Sequence, residues 1–193
     1  MENRTVLAPG IILYNDYAAA QKIINPFKDT LTDKWSSSEV VNPDYSFGAS
    51  EHRVCQEYTI FKQVPELYDL ANMIDDFITP KVKDFSDFYF VEKTEDTGWL
   101  ALKYEVGGKF DHHIDDGTMF HRTVSISAYL NDDFEGGEIE FPNFNILHKP
   151  KAGDIVIFSS AFPYLHKVHP ITKGTRYTIV NWYKYPRIER WDV

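Results

Sequence analysis

The sequence predicts a mainly β protein with helices at its N-terminal end, an α+β chain whose core is a barrel or a double-sheet jelly roll. Three observations lead there. From Phe88 onward, short strand-like runs follow one another with turn signals and no helical period between them. Two segments of helical periodicity lie ahead of that point. A hydrophobic share of 43% and an aromatic share of 16% over 193 residues are enough to fill one core.

In chain order, Thr5 to Tyr14 reads as a strand interrupted at Pro9-Gly10, with Ile11-Ile12-Leu13 as its buried part. Asn15 or Asp16 can cap a helix through Ala18-Ala19-Ala20 to about Ile24. That helix is expected to stop ahead of Pro26, because the residue before a proline is pushed out of the helical region. Trp35 to Cys55 is polar and rich in turn formers, with Ser36-Ser37-Ser38, Asn42-Pro43-Asp44 and Gly48. Its length suits a mobile segment or a functional lid. Glu57 to Lys62 is a further strand candidate. Pro65 is placed to open a helix whose apolar face is Leu67, Leu70, Ala71, Ile74 and Phe77, ending before Pro80. A second short helical piece is expected over Val82 to Phe88.

The remaining expected strands are Phe88 to Glu92, Trp99 to Val106, Val124 to Leu130, Gly137 to Phe141, Ile155 to Ser159 and Tyr177 to Tyr183. Asp116-Gly117, Gly136-Gly137 and Lys173-Gly174 mark turns between them. The reading is one domain over residues 1–193, with helical support over about 1–87 and the jelly roll over about 88–185.

Charge and cysteine usage narrow the function classes. A formal net charge of -9 argues against general affinity for nucleic acid or anionic membranes. The single cysteine, Cys55, leaves no internal disulfide and suits a reducing compartment, and no Cys-His signature surrounds it. No secretory leader follows Met1-Glu2-Asn3-Arg4, and no run approaches the ~20 apolar residues that span a membrane. The expectation is a soluble cytoplasmic protein.

The chemistry-bearing stretch is Lys103 to Phe120, centred on His113-Ile114-Asp115. If it is extended, residues two apart share a face, so His113 and Asp115 project side by side. An imidazole and a carboxylate make two-thirds of a divalent-metal site. The other histidines are His52, His112, His121, His148, His166 and His169. His166 and His169 lie directly before a strand that, in a jelly roll, can pair across the barrel. Two His and one carboxylate leave coordination positions open, the arrangement non-haem Fe(II) oxygenases use, whereas a closed zinc site wants four ligands, usually with more cysteine than this chain has.

A longer pattern surrounds these residues. Tyr104-x-x-Gly107-x-x-Phe110-x-x-His113-x-Asp115 is followed by Arg122 to Asn131, by Phe134-Glu135-Gly136-Gly137-Glu138-Ile139-Glu140-Phe141, by Pro150-Lys151-Ala152-Gly153-Asp154 with Phe158, and by His166-x-x-x-Pro170, Gly174-x-Arg176 and Trp182. In order and spacing this resembles the prolyl 4-hydroxylase branch of the 2-oxoglutarate- and Fe(II)-dependent dioxygenases, across roughly the C-terminal half. The resemblance implies His113, Asp115 and His166 as iron ligands; it selects His166 over His169 because His166 stands ten residues before Arg176. It implies that Arg176 and Tyr129 bind the distal carboxylate of 2-oxoglutarate and that Tyr104 lies close to it. A guanidinium can grip a carboxylate with two parallel hydrogen bonds, which agrees with that role. Thr178 shares the face of Arg176 by strand alternation.

The implied reaction consumes 2-oxoglutarate and O2, releases succinate and CO2 and hydroxylates a C–H bond, with ascorbate as reductant. The implied substrate is a peptidyl proline or a similar side chain, met by Trp182, Phe110, Arg53 and Lys184. Two departures bear on it. Relatives that act on peptidyl proline often have Tyr where this chain has Phe110, and His where it has Lys184. The same chemistry on a free amino acid or other small molecule therefore stands beside it. So does a non-catalytic jelly roll that binds metal or 2-oxoglutarate without turnover.

Overall fold

The computed structural model describes residues 4–41, 46–91, 95–96, 98–117 and 121–184. Met1–Asn3, the expected Asn42-Pro43-Asp44 turn, Glu92 and Thr118–Phe120 lie outside that set.

The chain opens with a hairpin, β1 (Arg4–Ala8) and β2 (Ile11–Asn15), in place of one interrupted strand. Asp16 then caps α1 (Tyr17–Thr30), its side chain accepting from the Ala19 amide. The helix does not stop before Pro26 but runs through it. Continuation buries Phe27 completely, with its ring 5.9 Å from Trp35 and 6.0 Å from Tyr177, and that packing offsets the backbone hydrogen bond the proline removes.

Short strands follow: β3 (Ser36–Ser37), β4 (Val40–Val41), β5 (Phe47–Gly48) and β6 (Arg53–Val54), then β7 (Gln56–Ile60). After a 3-10 turn at Pro65–Leu67 comes α2 (Tyr68–Tyr89), one helix of 22 residues containing Pro80. Neither the stop before Pro80 nor the separate piece after it occurs. The apolar face of Leu70, Ala71, Ile74, Phe77, Ile78, Val82 and Phe85 is continuous and buried across the proline. Phe88 and Tyr89 belong to this helix, and Phe90 ends it in the left-handed region, so the strand expected from Phe88 is absent.

The β-rich part comprises β8 (Glu95–Asp96), β9 (Trp99–Tyr104), β10 (Lys109–His113), β11 (Arg122–Tyr129), β12 (Glu135–Gly136), β13 (Ile139–Phe141), β14 (Ile146–His148), β15 (Asp154–Ser159), β16 (His166–Val168), β17 (Ile171–Lys173) and β18 (Arg176–Lys184). A nine-stranded sheet runs β1-β2-β15-β11-β18-β9-β7-β3, with β8 against β18. A five-stranded sheet runs β14-β13-β16-β10-β6. Together they form the predicted jelly roll. The N-terminal part is more than helical support, because β1, β2, β3 and β7 belong to the larger sheet.

Alternation along the strands assigns the faces of the larger sheet. Ala101, Val124, Ala128, Ile155, Ile157 and Ile179 join α1 and α2 in the main core. Tyr104, Tyr129, Arg176 and Thr178 point the other way, into a cavity between the sheets. Ion pairs fix the helical layer. Lys81, itself buried, reaches Asp16 at 2.8 Å, and Arg4 grips Asp84 with both carboxylate oxygens within 2.8 Å.

Candidate active site

A cavity of about 790 Å3 opens between the two sheets, and His113, Asp115 and His166 stand together in its wall. The sheet brings the two histidines together, since β10 and β16 pair antiparallel with His113 directly opposite His166 and their ring centroids 4.2 Å apart. Asp115 arrives differently from the expectation. The strand ends at His113, and Asp115 is turned in by the loop beyond it, whose Asp115 and Asp116 amides both donate to the Ser160 carbonyl at 3.1 and 3.0 Å. One ligand atom from each of the three residues lies within 4.8 Å of the others.

Hydrogen bonds orient each member of the cluster. His113 Nδ1 lies 2.8 Å from the Asp111 carbonyl and His166 Nδ1 3.1 Å from the Tyr164 carbonyl. A carbonyl only accepts, so each Nδ1 carries a proton and each Nε2 is left facing Asp115. Burial, reinforced by neighbouring His166, holds the His113 imidazole far below its ordinary range and so neutral. Burial raises the Asp115 carboxyl, but the two histidines, the Ser125 hydroxyl and the Trp182 indole outweigh it and hold the group below the usual range as an anion. A neutral imidazole, as at His113, and an ionised carboxylate, as at Asp115, are the forms that bind a divalent cation.

Deeper in the cavity, Arg176 is 1% exposed with no carboxylate partner among the described residues. Nη1 donates to the Gly137 carbonyl at 2.7 Å, and the guanidinium lies 4.2 Å from the Tyr104 ring centroid and 5.5 Å from that of Tyr129. Gly137 itself sits at φ 70°, a conformation that favours glycine, and an added Cβ would fall 2.5 Å from Ile171 Cδ1. Arg176 Nε and Thr178 Oγ1 are buried with no hydrogen-bond partner. A buried cation and a buried hydroxyl left unmatched are costly unless an anion completes them. Burial pushes the Tyr129 hydroxyl up to about 12 and the Tyr104 hydroxyl higher still, so both remain neutral donors.

The mouth carries the residues singled out for substrate. Phe110 stacks on His113, centroids 3.5 Å apart and planes 16° from parallel. Arg53 sits 5.3 Å above the Phe110 ring, donates to the Glu39 carbonyl at 3.0 Å and pairs with Glu57 at 2.8 Å. It thereby holds the base of the β4–β5 hairpin, whose Val40, Val41 and Phe47 wall the cavity. Trp182 also lines it, with the Arg122 guanidinium 3.7 Å from its ring centroid. Lys184 is not among its lining residues; it ends β18, its backbone in register with Arg122 on β11. Sequence reasoning missed Ser125 and Ser160, both buried beside Asp115. A serine in a strand, or just beyond one, carries no signal of such a contact. His148, bonded to Asp154, and His169, bonded to Glu140, are not among the cavity residues.

Comparison with known proteins adds to this geometry. Residues 99–184 match the family model described as the 2OG-Fe(II) oxygenase superfamily, a stretch that holds the three-residue cluster, Arg176 and Thr178. PKHD-type hydroxylases from Rippkaea orientalis and Gloeothece citriformis are 35% and 39% identical over 92 and 91 residues, which is 43% of this chain and 40% of each relative. The chain thus spans about two fifths of the length of the curated relatives it matches. Among solved structures, a Trichoplax adhaerens prolyl hydroxylase, in complex with a hypoxia inducible factor oxygen degradation domain peptide fragment, matches with a TM-score of 0.74 at 18% identity, covering 91% of this chain and 83% of that one. A Pseudomonas putida prolyl-4-hydroxylase matches with a TM-score of 0.69 at 17% identity, covering 92% and 93%. At these identities the likeness is one of fold. The barrel shares the fold of these two hydroxylases.

Proposed function

We propose that this protein is a 2-oxoglutarate- and O2-dependent hydroxylase that holds Fe(II) through His113, Asp115 and His166. In this reading it hydroxylates a peptidyl proline or a similar side chain and releases succinate and CO2. The observation that carries the reading is the unmatched polar pair Arg176 Nε and Thr178 Oγ1, buried in the cavity that also holds the His-Asp-His cluster. A dicarboxylate with one end on the metal and the other on Arg176 would satisfy both.

The residues present fit the metal and the cosubstrate. His113 and His166 offer Nε2 lone pairs oriented by backbone carbonyls, and Asp115 offers a carboxylate. When bound, Fe(II) with 2-oxoglutarate supplies oxidative decarboxylation and insertion of one oxygen atom of O2 into a C–H bond. The chain's own part is positioning. Arg176 and Thr178 bind the distal carboxylate, Tyr129 donates its neutral hydroxyl to it, and Tyr104 lies under the guanidinium. Val40, Val41 and Phe47 shield the site from water once substrate is seated. Phe110, Trp182 and Arg53 face the substrate, and ascorbate serves as reductant.

The test is succinate formation from 2-oxoglutarate with Fe(II) and ascorbate, using His113→Ala and Arg176→Ala as controls. The wild type is expected to turn over and His113→Ala to be silent. Turnover that persisted in His113→Ala would sink the metal assignment, and an unchanged 2-oxoglutarate requirement in Arg176→Ala would sink the anchor. A gain of one oxygen in mass on a proline-containing peptide, set against free amino acids, separates the substrate classes.

A further inference from the structure

Asp115 is held from two strands through one chain of hydroxyls. Ser125 on β11 donates to Asp115 Oδ2 at 2.6 Å, a short bond of the charge-assisted kind. Ser125 Oγ also lies 2.8 Å from Ser160 Oγ, just beyond β15. The direction of that second bond follows from counting protons. A carboxylate only accepts, so the single Ser125 hydroxyl proton goes to Asp115, and Ser160 must be the donor to Ser125. The backbone of Ser160 serves the same loop, because its carbonyl takes both the Asp115 and Asp116 amides. Ser125 is 1% exposed and Ser160 0%, so water does not substitute for either contact.

We propose that Ser160 and Ser125 form a directed hydroxyl relay, Ser160 to Ser125 to Asp115, that positions the carboxylate ligand for the metal. The proposal rests on the metal assignment above. The two serines are positioning residues and act only through Asp115. The relay replaces what strand geometry would have supplied had β10 continued. Since Asp115 stands on a loop, its carboxylate needs an outside constraint to hold Oδ1 at 3.6 Å from His113 Nε2 and Oδ2 at 3.8 Å from His166 Nε2. Donors in series polarise one another, so Ser160 strengthens the bond that Ser125 makes.

The experiment measures Mn(II), a redox-silent probe, binding to the intact protein in the absence of 2-oxoglutarate, beside a metal-free thermal melt. Ser125→Ala is expected to weaken Mn(II) binding roughly 10- to 100-fold, the range for losing an outer-shell partner. Ser160→Ala is expected to cost less, and the double variant no more than Ser125→Ala alone, because the contribution of Ser160 passes through Ser125. Ser125→Thr, which keeps the hydroxyl, restores most of the affinity. Wild-type affinity in Ser125→Ala overturns the relay, as does a double variant whose loss is the sum of two independent ones. If Ser125→Ala does not fold, Ser160→Ala decides, and unchanged Mn(II) affinity there overturns the relay. A wild type that takes up no Mn(II) overturns the metal centre and the relay with it, so the two failures are told apart.

Discussion

Thr178 is the side chain through which the proposed cosubstrate anchor can be dissected most finely. Its hydroxyl is buried and unmatched beside the equally unmatched Nε of Arg176, so removing it leaves the cation and its Gly137 bond in place. Thr178→Val, close in shape, is expected to raise the 2-oxoglutarate requirement about 3- to 10-fold, the worth of one hydrogen bond. Arg176→Lys keeps the charge but loses the planar fork, and a loss of about 100-fold is expected. Titration calorimetry of 2-oxoglutarate on the Mn(II)-loaded protein measures both, and equal effects from the two changes would refute the division of labour. Thr178 was legible because strand period alone places it on the face of Arg176. The surroundings of Asp115 were not: strand parity aligned it with His113, whereas the loop and the Ser160 carbonyl bring it in. No periodicity encodes a loop held by a residue 45 positions downstream.

At the scale of elements, the prolines were the misleading signals. Pro26 and Pro80 both mark helix ends in the sequence and both sit inside helices, because the buried faces around Phe27 and around Phe77 and Val82 outweigh the local cost. Pro80 is exposed, so its replacement costs no packing. Pro80→Ala restores a backbone donor to the helix and is expected to stabilise the protein by about 1–2 kcal/mol, read as a shift in the urea midpoint at unchanged slope. A second element-level contact joins the start of β15 to its neighbours: Asp154 accepts from Asn15 at 2.8 Å, from the Lys151 amide at 2.9 Å and from His148 at 2.9 Å. Burial pushes its carboxyl up, but these bonds together hold it below its ordinary value of 3.8. The sign follows: this stabilisation is complete above that value and is lost as pH falls below it, through the depressed folded-state pKa. Asp154→Asn should therefore be less stable than wild type at pH 7, with the gap narrowing towards pH 3 in urea titrations at each pH. A gap independent of pH would show that the carboxylate charge contributes nothing there.

At the scale of the whole molecule, the sequence pointed to a jelly roll from about residue 88 but not to the partners that complete it. β15 pairs with β2 and β9 pairs with β7, so strands from the first 60 residues flank both sides of the larger sheet. Antiparallel partners far apart in sequence leave no periodic trace, which is why this was illegible. The consequence is physical. Without residues before 88, β15 and β9 become edges with unpaired backbone, and Ala101, Val124, Ile155, Ile157 and Ile179 lose the helical layer that keeps them dry. We therefore expect the chain to unfold as one unit, with far-ultraviolet circular dichroism and tryptophan fluorescence tracing a single transition in urea. A chain beginning at residue 88 is expected to show no cooperative transition and to aggregate. Two resolved transitions in the intact chain, or a cooperative melt of the shortened one, would show that the barrel stands without its N-terminal strands. The His-Asp-His cluster would then owe its geometry to the barrel alone, since His113, Asp115 and His166 all lie beyond the cut. On the arrangement described, it depends on both halves: Ser125 on β11 and Ser160 just beyond β15, which hold Asp115, belong to a sheet flanked by β2 on one side and β7 on the other.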